Sequence, residues 1–166
     1  MKTFKNIILI ICMLGLMQSC IVSEKPNIAY FSESGRDFKG AKFTSINVPM
    51  LLAKPYIRKA LREDGESEDV IRLASKVSKI KVMTVENSNP KLLKDFSDYL
   101  LDNHYEDWAT IKHEGEQVNI RVKQKTDVIK NMLITVNSDK EIILVDVKGN
   151  FTADDISKMI ASASDK

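Results

Sequence analysis

Two cysteines, two histidines and 23 carboxylates are the side chains of this 166-residue chain from which chemistry could be built. Their spacing narrows what that chemistry can be. His104 and His113 fall on different predicted elements, and no zinc spacing or metalloprotease motif includes either. No metal and no cofactor is therefore expected. The six glycines are scattered singly, so no loop is shaped to cradle phosphate. No serine lies in a nucleophile-elbow context; Ser45 and Ser88 read as strand and cap residues. Glu63, Asp64, Glu66, Glu68 and Asp69 form an acidic cluster around Gly65. Paired-carboxylate catalysis needs two groups fixed across a walled cleft, and this cluster reads as a solvated loop. Asp146 sits inside an apolar strand, where a carboxylate needs a partner or an edge; an exposed sheet face is the expectation. An enzyme would require Asp146 to converge with a residue such as Glu66, and none is expected. Tyr99, Tyr105 and Trp108 are the candidate contacts for a ligand or partner, with ordinary core or edge packing as the alternative.

The N-terminal segment carries a different chemistry. Lys2 and Lys5 precede the uncharged apolar run Ile7–Met17, which is too short to span a bilayer and matches a signal-peptide core. Gln18-Ser19-Cys20 follows directly. A small residue before a cysteine at this position resembles the lipobox of bacterial lipoproteins. The resemblance implies cleavage between Ser19 and Cys20 and acylation of Cys20. Two or more acyl chains would anchor the chain stably at a membrane surface without a spanning helix. Ile21 is not the aspartate associated with inner-membrane retention, so the outer membrane, facing the periplasm, is the expected location.

Removal of residues 1–19 takes away Lys2 and Lys5 and no acid, leaving 23 basic against 23 acidic side chains. A neutral chain carries no long-range electrostatic case for nucleic acid. The row Asn119, Arg121, Lys123 and Lys125 has no interleaved aromatic and reads as a solvated face. Cys12 leaves with the signal and Cys20 is consumed by acylation, so no thiol remains for a disulfide, a nucleophile or a metal site. Composition, 43% hydrophobic and 29% charged, excludes disorder and a disulfide-dense scaffold.

The elements follow from period and punctuation. Residues 20–27 read as the lipidated cysteine and a tether reaching about 20 Å, residues 28–163 as one α+β domain, and 164–166 as a tail. Residues 43–48 form a strand stopped by Pro49. A short helix is predicted over 55–62 with Pro55 in its first turn, broken at Asp64-Gly65, then a second helix capped by Ser67. Residues 77–86 read as a strand. Asn89-Pro90 opens the clearest helix, with Leu92, Leu93, Phe96, Tyr99 and Leu100 on one stripe. Four strands follow, over 108–113, 117–124, 128–136 and 141–147, with links short enough for an antiparallel meander. Gly149-Asn150 is expected to end the sheet, and Thr152 with Asp155 to form a capping box opening a last helix. The expected architecture is a mostly antiparallel sheet of five to six strands with helices packed mainly on one face.

In this order, Ser45–Leu51, Lys79-Ile80-Lys81-Val82-Met83, Tyr105 to Trp108, Val118-Asn119-Ile120-Arg121 and Gly149-Asn150-Phe151 resemble the bacterial envelope lipoproteins of the domain of unknown function 4252 type. The resemblance covers most of residues 28–163. It implies a small lipid-anchored domain without an assigned activity and supplies no catalytic residues. A non-enzymatic interaction or regulatory module with an envelope protein partner is the leading expectation, and a periplasmic binder of a small or lipidic ligand the alternative.

Overall fold

The computed structural model describes residues 22–33, 38, 40–88, 90–113, 116–138 and 141–164. Ser19 and Cys20 lie outside the described residues, as does the Asn89 cap. The elements run β1 (Val22–Ser23), α1 (Ala29–Glu33), β2 (Lys42–Val48), α2 (Met50–Glu63), α3 (Glu68–Lys76), β3 (Val77–Glu86), α4 (Pro90–Asp102), β4 (Glu106–His113), β5 (Glu116–Lys125), β6 (Val128–Asn137), β7 (Glu141–Phe151) and α5 (Ala153–Ser164). The strands form one seven-stranded sheet in the order β1-β2-β3-β7-β6-β5-β4, antiparallel throughout. The expected meander is β4 to β7. The fold is α+β, with one or two more strands than expected.

The pleat sends alternate residues to opposite faces, and here both faces are covered. On β7, Ile142 and Leu144 join one core, with Tyr30 and Phe31 of α1 and Leu92, Phe96 and Leu100 of α4. Val147 and Phe151 join the other, with Met50 of α2, Leu73 of α3 and Ile156 of α5. Three helices therefore lie on one face and two on the other. The first core is ring-rich: the Tyr30 centroid is 4.8 Å from Phe31, 5.1 Å from Phe96 and 5.0 Å from Tyr99. Two hydroxyls in it, Ser45 Oγ and Thr135 Oγ1, are buried without a hydrogen-bond partner, a local cost against the apolar packing around them.

Helix ends follow the residue chemistry. Ser67 Oγ accepts from the Val70 N–H and caps α3. Thr152 and Asp155 exchange the two expected capping-box bonds at α5. Helix α2 closes with Gly65 at φ 71°, its N–H on Arg62 and that of Glu66 on Leu61, a Schellman motif. Helix α4 closes in the same way with His104 at φ 62°, where glycine is usual.

Three boundaries differ from the sequence-based expectation. The supposed tether is docked on the sheet: Val22 pairs with Ile46 and Ser23 with Ser45, and the Asn27 amide donates to Ile46. Two residues, Val22 and Ser23, are too few to disclose in a hydropathy pattern that the chain has found a sheet edge. Helix α2 begins at Met50, so Pro55 lies inside it and not in its first turn. The proline removes only the bond to the Leu51 carbonyl, and Leu51 is exposed to water. The sheet also runs on past Gly149-Asn150: Val77 pairs with Gly149 and Ile129 with Phe151.

Gly149 is required there by close approach. A Cβ on it would stand 2.4 Å from the Phe151 ring and 2.7 Å from the Lys76 carbonyl oxygen. Gly149→Ala is expected to cost about 1–3 kcal/mol, read as a lowered urea midpoint with unchanged slope. At α5, burial pushes the Asp155 carboxyl up, but hydrogen bonds from Lys76 and Thr152 outweigh it and hold the group below 3.8. Its folded-state pKa is depressed, so its contribution is present above that value and lost as pH falls through the lower one. The stability gap between wild type and Asp155→Asn should be full at neutral pH and close in acid, measured by urea titrations across pH.

Candidate functional site

The face carrying α1 and α4 changes character along its length. Met83 gives way to Lys81 on β3, Leu144 to Asp146 on β7 and Leu133 to Asn131 on β6, each two residues away and so on the same side. Register brings these polar residues together. Lys81 is the cross-strand partner of Asp146, Asn131 of Lys148, and Lys123 of Asn131. The apolar half lies under α1 and α4. The polar half floors a cleft of about 360 Å³ whose walls include Tyr30, Glu33, Tyr99, Asn103 and Tyr105.

Within it, polar groups are held by named bonds. The Asn131 amide donates to Asp146 Oδ1 at 3.3 Å and also bonds the Tyr105 hydroxyl. Lys81 Nζ donates to the Asn27 carbonyl oxygen. Burial lowers the Lys81 pKa below 10.5, Lys79 and Lys148 lower it further, and Asp146 and Glu33 offset part of this. Burial pushes the Tyr105 phenol up to about 12, helped by the charge of Asp146 and by Tyr99. Lys123 Nζ stands 5.7 Å from the Tyr105 ring centroid, within cation–π range. The cleft thus offers ammonium and phenol donors from Lys81, Lys123, Lys148 and Tyr105 beside a carboxylate, a set suited to orienting a small polar group.

Of the aromatics singled out from sequence, Tyr99 and Tyr105 line this cleft and Trp108 does not. Trp108 is the extra residue of a β-bulge: Asp107 pairs with Arg121 and Ala109 with Ile120. Three residues after Tyr105, the indole falls by alternation on the opposite face, where it packs against the second core, and the bulge brings Ala109 to the same side. Asp146 is 9% exposed and hydrogen-bonded, not on an open sheet face. Glu66 sits in the turn joining α2 and α3, helices of the other face, so the acidic cluster and Asp146 do not converge. Among the described residues no three His, Cys, Asp or Glu side chains are grouped to hold a metal ion. The row read as solvated is partly covered instead: Arg121 bonds Asp107 and reaches Ser97 of α4, and Lys123 belongs to the cleft.

Lys81, Asn131 and Lys148 were not apparent as site residues from the sequence. The available signal was phase: each continues the alternation of core residues on its strand, with a polar side chain where an apolar one is due. Comparison with known proteins adds a family and no closer relative. Residues 37–159 match the family model described as "Domain of unknown function (DUF4252)". No curated protein and no solved structure matches the chain.

The buried phenol gives this cleft a signature. In a spectrophotometric titration, Tyr105→Phe should delete a tyrosine ionising near pH 12, and Asp146→Asn should bring that ionisation down.

Proposed function

The chain belongs to the DUF4252 family, whose domain has no assigned function, and from that premise we propose a lipid-anchored module of the bacterial cell envelope that works by binding and not by turnover. The sequence Gln18-Ser19-Cys20 behind the Ile7–Met17 apolar run supports acylation at Cys20. Ile21 supports an outer-membrane, periplasm-facing position. No helix among the described residues is long and apolar enough to cross a membrane.

The observation that carries the binding role is the cleft over Lys81, Asp146 and Asn131. Its floor is rigid sheet, its walls are α1 and α4, and its lysines and Tyr105 recognise a small anionic group while Asp146 accepts from a donor on the same molecule. An interaction or regulatory role follows if that group belongs to an envelope component, on a partner protein or free.

Two measurements test this. Metabolic palmitate labelling should mark the wild type, and Cys20→Ala should lose the label and leave the membrane fraction. Crosslinking in envelopes, followed by denaturing extraction of the purified protein and mass spectrometry, should yield a partner or small molecule. Lys81→Met with Lys148→Met should reduce its recovery about ten- to a hundredfold, the loss of roughly 1.5–3 kcal/mol expected for a hydrogen bond to a charged group. Equal recovery from both proteins would rule out the cleft.

A further inference from the structure

Four of the five large apolar side chains most open to solvent among the described residues gather at one end of the molecule. Val22 is 51% exposed, Leu51 88%, Leu52 67% and Tyr56 76%. Val22 pairs with Ile46, two residues before the end of β2. The chain then turns at Pro49 directly into α2. Register places Val22 on the face that α2 covers, since Ile46 is in phase with Val48 of the second core.

Helix α2 itself has two sides. Met50 and Ile57 pack inward on the second core. Outward, its first two turns show Leu51, Leu52 and Tyr56, and its later turns Arg58, Lys59 and Arg62. Lys54, Arg58, Lys59 and Arg62 line an open groove of about 680 Å³. Glu63 is the only acid of the helix. Apolar side chains beside a basic stretch are what a helix lying in a headgroup layer needs: the former enter the acyl boundary and the latter meet anionic headgroups.

The length of chain ahead of Val22 says what covers this surface. Cys20 is two residues before Val22, within about 7 Å even when fully extended. We infer that the outer face of α2, with Leu51, Leu52 and Tyr56, rests in the anionic lipid surface to which Cys20 is anchored. This rests on the acylation of Cys20 proposed above and adds the orientation of the domain and a second membrane contact. With so short a leash the β1–β2 end is the part of the domain that must meet lipid.

A photoreactive benzophenone amino acid placed at Leu52 in the full-length protein tests the inference in intact envelopes. Thr110, exposed on the opposite edge strand, is the control position. The expected result is phospholipid adducts at 52 and none at 110. Adducts of 52 with a second copy of the chain or with another protein, without lipid, would overturn the inference. So would silence at 52, or equal lipid labelling at both positions. The mass of the N-terminal peptide, read from the same samples, judges the anchor separately. An acylated Cys20 with a silent Leu52 position leaves the anchor and removes the inference. Lipid adducts at 52 on a chain without acyl groups remove the anchor and support the contact.

Discussion

The two-residue alternation of β7 is the constraint on which the rest of the domain depends. This strand is the only one flanked by β3 on one side and the meander on the other, so a slip of one residue would exchange the contents of both cores. Ile142 and Leu144 face one layer of helices, Val147 and Phe151 the other. Register is strongly specified where a slip would expose every buried side chain. Phe151 can reach its place because Gly149 leaves room for the ring, and the ring is covered in turn by Ile156, which the capping box aims at the sheet. Strand end, glycine and helix start therefore act as one joint.

The same alternation that builds the first core also ends it. Along β3, β6 and β7 the residues facing α4 turn from Met83, Leu133 and Leu144 to Lys81, Asn131 and Asp146. Polar groups at this depth need partners, and most find them in each other or in Asn27. The cleft is the part of that face left uncovered because α1 is short and α4 leaves toward β4 on the far edge. Its electrostatic character comes from placement: a lysine and an aspartate paired across strands, and a phenol pressed against them.

Much of the scaffold was legible in the amino-acid order because its signals are local. Pro90 with the Leu92–Leu100 stripe, Thr152 with Asp155, Ser67, Gly65 and the 77–86 strand each follow from a few neighbouring residues. What was not legible depends on distant partners. A two-residue strand at Val22 exists only because β2 offers an edge. The bulge that sets Trp108 and Ala109 on one side of β4 exists only in the pairing with Arg121 and Ile120. The cleft is assembled from β3, β5, β6 and β7 at once, so no window of sequence contains it. Asp146 stands out as an anomaly in an apolar strand, but its partners Asn131 and Lys81 lie 15 and 65 positions away in the chain.

The docking of β1 has a mechanical meaning. Any pull on the chain ahead of Val22 is borne first by two register pairs, Val22 with Ile46 and Ser23 with Ser45, and next by the Asn27 amide on Ile46. Such a short strand yields in sequence, one rung at a time, well before the long ladders of β3 with β7 are loaded. Release would bare the edge of β2 while leaving both cores closed. Under tension the domain would thus present an unpaired strand edge, the kind of surface to which another extended chain can add, and return it to cover when the load is removed.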